Sequence, residues 1–174
     1  MHFNLKIIAV LWVAALVGAA TSAYAAEEIG KAVAVIDHAT TEGSVGQRTL
    51  SVGAKIHRGE RVKTDSIGEA QILFDDGTRM VLGPNSDMML DDFVFRSGDA
   101  ENQFVVRAFN GAFRFITGDA SKDAYLIQTP AATIGVRGTV FDFAVTPGDT
   151  NLLLLHGGVN VCGNEFGCTF ATVD

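Results

Sequence analysis

Beyond residue 25 the chain consists of short runs in which apolar and polar residues alternate, the period-two signature of half-buried strands. No segment there carries the apolar stripe of an amphipathic helix. In GEAQILFDDGTRMVLG, Ala70, Ile72 and Phe74 share one face, Asp76 and Gly77 interrupt, and Met80 and Leu82 resume the pattern. Asp-Gly between two alternating runs predicts a type I′ hairpin, in which both turn residues take positive φ. FVVRAFNGAFRFIT repeats the device at Asn110 and Gly111. Further strands are expected at 31–36, 49–52, 61–62, 125–128, 139–145, 151–156 and 159–161. Leu152, Leu153, Leu154 and Leu155 are apolar on both faces, as in a central strand covered on both sides.

Many short strands, with 19 glycines and only 3 prolines, predict an all-β fold: a jelly-roll-like sandwich or a double-stranded β-helix-like domain. The stretch TPAATIGVRGTVFDFAV departs from simple alternation. Gly135, Arg137, Gly138 and Thr139 precede the strand pattern of Phe141, Phe143 and Val145. The glycines permit a bend before that strand. A buried Arg137 would need a carboxylate or several carbonyls around it and would clamp the corner. An exposed one would face a ligand or partner. The clamp is the preferred expectation, with the four residues held as a structural or binding site.

The N-terminus changes the picture of location. Lys6 precedes an apolar run of about 14 residues and an A-x-A site, Ala23-Tyr24-Ala25, which together read as a secretory signal peptide at residues 1–25. As a helix that run would be roughly 21 Å long, short of a hydrocarbon core of about 30 Å. Cleavage after Ala25 or Ala26 is expected, with a periplasmic or secreted product. An uncleaved inner-membrane signal anchor is the alternative. The remaining 26–174 suits a single domain, with no membrane span after cleavage. Removing Lys6 from the formal charge of −7 leaves −8, which argues against nucleic acid or anionic membrane as a partner.

Cys162 and Cys168 flank five residues within 159–174, with alternation on both sides. An exported chain permits a disulfide, and a hairpin stapled near its tip is the expectation. Free redox thiols are the alternative. Two thiols with no nearby histidine supply only half a tetrahedral metal site.

Catalytic chemistry finds little support. His38, His57 and His156 stand far apart, without an H-x-H pair. The acids Asp75, Asp76, Asp87, Asp91 and Asp92 lack the alternating spacing of a calcium loop. No G-x-S-x-G elbow, S-x-x-K or phosphate-cradling loop occurs. The expectation is a non-enzyme with no metal and no cofactor.

Two stretches carry a resemblance. IHRGERVKTDSIGEAQILFDDGTRMVLGPNSDMML resembles the FecR-type periplasmic domain in its G-[ED] step, its threonine before a small-residue turn, its D-G-[ST] turn and its GPNS turn. GAFRFITGDASKDAYLIQTPAATIGVRGTVFDFAV is similar to the family's T-P-x-A-x-x-G-V-R-G-T-x-F signature. The likeness spans 30–161. It implies an all-β, jelly-roll-like periplasmic domain. In the namesake regulators, that domain follows a transmembrane helix and a cytoplasmic segment controlling a sigma factor, and relays signals from a TonB-dependent receptor. Here only residues 1–6 precede the signal region, so direct sigma-factor binding is not expected.

The resulting expectation is a non-catalytic periplasmic binding or sensory module that acts through a periplasmic or envelope protein, in a stand-alone secreted member of the family. The alternative is a structural or assembly component of the envelope.

Overall fold

The computed structural model describes residues 26–44, 46–91, 104–119, 125–164 and 167–174, and every regular element among them is a strand. The first eight are short: β1 (Glu28–Ile36), β2 (Ala39–Gly43), β3 (Gly46–Thr49), β4 (Lys55–His57), β5 (Arg61–Thr64), β6 (Glu69–Phe74), β7 (Arg79–Leu82) and β8 (Asp87–Leu90). The rest are β9 (Phe104–Ile116), β10 (Tyr125–Gln128), β11 (Ala132–Thr146), β12 (Asp149–Gly163) and β13 (Gly167–Val173). The expected signal peptide lies outside the described residues. Among those described, no helix is long and apolar enough to cross a membrane.

Three long strands build the architecture by changing partners midway. The first half of β9 pairs with β8 and, in parallel, with β10; its second half, from Gly111, pairs with β11 and then β7. The first half of β11 lies between β10 and the end of β12, and its second half between β9 and the start of β12. Each long strand changes partners at a glycine with positive φ: Gly111 at 118°, Gly138 at 61° and Gly157 at 86°. L side chains resist that backbone region, so glycine is the residue that lets a strand turn there without breaking its ladder. The bends fold one continuous network of pairing into a sandwich-like all-β domain.

The core fills the space between the halves. Phe115 of β9 meets Tyr125 of β10 edge to face at 5.1 Å and Phe141 of β11 at 5.6 Å. Phe113 stacks on Phe143 at 4.9 Å. Ile72, Met80, Leu82, Ile127 and Ile134 close around them, all fully buried. At one end the hydroxyls of Thr129, just after β10, and Thr150, at the start of β12, lie 2.7 Å apart. They join the end of one half to the beginning of the other.

Several sequence expectations change at this level. Asn110 and Gly111 do not turn a hairpin, because β9 bends there but continues unbroken through them. A Cβ on Gly111 would lie 2.5 Å from Ser86 Cα, so the glycine admits a neighbouring turn rather than making one. Asp76 and Gly77 do connect a hairpin, β6 to β7, but only Gly77 has positive φ. Phe74 and Thr78 pair across a three-residue loop, the form with an αL glycine at its end rather than type I′.

Residues 152–155 are not a doubly covered central strand. Among the described residues, the first half of β12 pairs with β11 on one side alone, and Leu153 and Leu155 are 61% and 41% exposed. Strands β2, β4 and β8 went unforeseen, and the strand expected at 49–52 is instead β3, ending at Thr49.

Candidate functional site

The corner of β11 shows what the GVRG stretch does. Gly138 bends the strand, and the fastening beside it comes from threonines. Buried Thr139 donates from Oγ1 to the His156 carbonyl at 2.6 Å. Its amide donates to Thr117 Oγ1 at 3.0 Å, while its carbonyl accepts from the Thr117 amide and hydroxyl. Arg137 is exposed, opposite Gly158, so burial, the premise of the clamp expectation, is not met. Gly135 sits mid-strand against Asn160 with room for a Cβ at 3.7 Å.

The other motif residues brace turns in the same way. In the loop between β6 and β7, Asp76 accepts from the Thr78 amide and hydroxyl, each at 2.9 Å, and from the Tyr125 hydroxyl at 2.8 Å. Burial, together with the neighbouring Asp76 carboxylate, pushes the Tyr125 phenol far above its ordinary range. Thr64 holds the GPNS turn by donating to the Gly83 carbonyl at 2.7 Å and accepting from the Ser86 amide at 2.9 Å. Asn85 supplies that turn's positive φ, 54°, and its carbonyl accepts from Asn110 Nδ2. Asn110 is thus a strut to this turn rather than part of a turn of its own.

Glu60 is the residue that pattern reading missed. It follows Gly59 in what looks like a surface G-E turn, yet it is 1% exposed. Its carboxylate accepts two bonds from Arg48 at 2.8 and 3.0 Å, one from the His57 amide at 3.2 Å, and lies 3.2 Å from His57 Nδ1. Burial pulls its pKa up, but the Arg48 and His57 hydrogen bonds outweigh it and hold the carboxyl below its usual range. The only sequence signal was His57, three residues before Glu60, because Arg48 is brought to it by the fold.

The remaining acids and histidines are dispersed. Asp87 pairs with Arg61 through two 2.7 Å contacts, and Asp91 pairs with Arg107 at 2.6 Å. His38 and His156 are exposed. Among the described residues no three His, Cys, Asp or Glu side chains gather as a metal site. Cys162 and Cys168 face each other across β12 and β13 and form a disulfide.

A shallow groove of about 550 Å³ crosses the outer face of β7, β9, β11 and β12. Its floor is low because Gly83, Ala112 and Ala144 stand side by side there. Arg114 and Asp142 bridge it with two bonds of 2.6 and 2.7 Å, and this guanidinium holds the Asp142 carboxyl below its ordinary range. Leu153, on the unpaired side of β12, forms its rim.

A sequence model described as "FecR protein" matches residues 60–160. No curated protein sequence matches the chain. Two crystal structures of a provisionally assigned anti-sigma factor from Parabacteroides distasonis are similar in fold, each with a TM-score of 0.51 at 16% identity. Each alignment covers 64% of this chain and 50% of that one, so the chain spans about half the length of those structures. A structure described as a cell surface anchoring domain is 32% identical over 42% of this chain and 99% of its own, with a TM-score of 0.36.

Proposed function

The chain belongs to the FecR protein family, and from that premise we propose that it is a non-catalytic binding module of bacterial envelope signalling, exported to the periplasm and acting through a protein partner. The observation that carries this reading is the family match over 60–160. Two others support it. The Cys162–Cys168 disulfide fits an oxidising compartment. The residues that match the family's motifs also form internal braces: Thr64, Asp76, Thr78, Ser86 and Thr139 all hydrogen-bond to the domain's own turns and corners. A motif used in this way builds a scaffold, so recognition falls to outward faces and strand edges. The provisional anti-sigma role of the structural neighbours makes a regulatory protein the class of partner to seek.

The test is expression of the full chain in a Gram-negative host, followed by fractionation, N-terminal sequencing and in-cell cross-linking. The expected product is periplasmic, begins at Ala26 or Glu27, and cross-links to a specific envelope protein. Recovery of the intact chain from the cytoplasm with both cysteines free would overturn the reading. Recovery of the intact chain from the inner membrane would replace the soluble module with an anchored one.

A further inference from the structure

The Cys162–Cys168 bridge joins two residues that stand directly opposite each other in the antiparallel ladder of β12 and β13. Cys162 shares its face of β12 with exposed Asn160, while Val159 on the opposite face is fully buried. The bridge therefore lies on the outer face of the sheet, away from the core. Cys168 is exposed and Cys162 half-buried. Gly163 and Gly167 pair just beyond them, so those two positions put no side chain over the bond. The backbone at the bridge is also drawn in. The two Cα atoms are 3.9 Å apart. Antiparallel partners ordinarily stand about 4.5 or 5.5 Å apart, and disulfide-linked Cα atoms at least about 4.4 Å apart. Opening the bond lets the strands return to ladder spacing, which favours the dithiol. Exposed bridges held in this way are the readily exchanged ones.

The element that the bond secures is separable from the rest of the domain. Among the described residues, β13 pairs with β12 alone. All seven of its residues are exposed, and none belongs to the core cluster. Phe170 lies over Gly158, where a Cβ would come within 3.1 Å of the ring, yet Phe170 stays 57% exposed. β12 does not depend on this cover, because its 158–163 stretch is paired on its other side with β11.

We propose that Cys162–Cys168 is a thiol–disulfide exchange site, and that its reduction by a dithiol releases β13 while the rest of the domain stays folded. One thiolate of the reductant attacks the exposed Cys168 sulfur. The S–S bond breaks, a mixed disulfide forms on Cys168, and Cys162 leaves as a thiolate that takes up a proton. The reductant's second thiolate then attacks its own sulfur in the mixed disulfide, and Cys168 leaves in the same way. Two electrons and two protons pass from the reductant, which ends as a disulfide, to the two cysteines, which end as thiols. The reduced state leaves the 157–163 edge of β12 uncovered, and reoxidation covers it again. The inference is independent of the signalling role, since it concerns a bond within the purified chain and needs no partner.

The experiment treats the oxidised full chain, purified after export, with graded dithiothreitol in the absence of denaturant. Alkylation and mass measurement count the freed thiols, and hydrogen exchange reads each strand before and after. A parallel sample with glutathione is acid-quenched early and peptide-mapped. The expected result is reduction of the bridge in the folded chain and a mixed disulfide with glutathione on Cys168. Exchange of the β13 amides should then rise roughly tenfold or more, with β9 and β11 as protected as before. The inference is overturned by a bridge that yields only when denaturant unfolds the domain. It is equally overturned by a reduced chain whose β13 keeps its protection, or by one that loses protection throughout.

Discussion

A Cβ placed on Gly157 would lie 2.2 Å from the carbonyl oxygen of Gly138. The bends of β11 and β12 are thus nested backbone against backbone. Gly157→Ala adds a clash with main chain to the strain of φ 86°, and we expect it to destabilise the domain by about 3 kcal/mol or more. Gly138→Ala meets nothing within 4 Å and carries only the strain of φ 61°, about 1–2 kcal/mol. Thermal melts of the two variants decide the point, and equal losses would reject the nested corner.

Thr139 fastens the same corner by hydrogen bond, while Arg137 beside it is exposed. Thr139→Val leaves the His156 carbonyl without its 2.6 Å donor and should cost about 1–3 kcal/mol. Arg137→Ala, at an exposed position, should cost distinctly less. Denaturant midpoints of both variants measure the order, and a larger loss for Arg137→Ala would restore the arginine clamp.

Glu60 gives the fold an acid-sensitive contact. Its folded-state pKa is held below the unfolded value of about 4.3, so its contribution is complete above that value and is lost as the pH falls through the lower, folded pKa. Glu60→Gln weakens the Arg48 and His57 contacts in a buried site and should cost about 3 kcal/mol at neutral pH. The gap between wild type and variant should narrow on acidification below pH ~4. Melting temperature followed against pH checks this, and a gap that stays constant would refute it.

The Cys162–Cys168 bridge acts locally. Closing so short a loop is worth about 2 kcal/mol, and β13 is exposed along its whole length. Replacing both cysteines by serine should therefore free the amides of β13 to exchange while leaving the protection of β9 and β11 intact. Hydrogen exchange read by mass spectrometry reports it. Loss of protection throughout the domain would show that the hairpin supports the core.

Alternation along the chain was enough to determine an all-β fold, most strand positions and the exact extent of β10, because a strand's burial pattern is local and repeats every two residues. The Cys162–Cys168 pairing was legible for the same reason: six positions apart on a hairpin, the two residues meet by register. What a glycine is for was not legible. Gly77 ends a hairpin loop while Gly111 sits inside an unbroken strand, and the residue that makes the difference is Ser86, 25 positions away from Gly111 in sequence. Glu60 reads as a surface acid until Arg48 and His57 are folded around it. The four leucines of 152–155 fit a central strand or an edge equally well by composition. Their place is set by where β13 stops pairing, at Gly157, which is a long-range fact that no local period encodes.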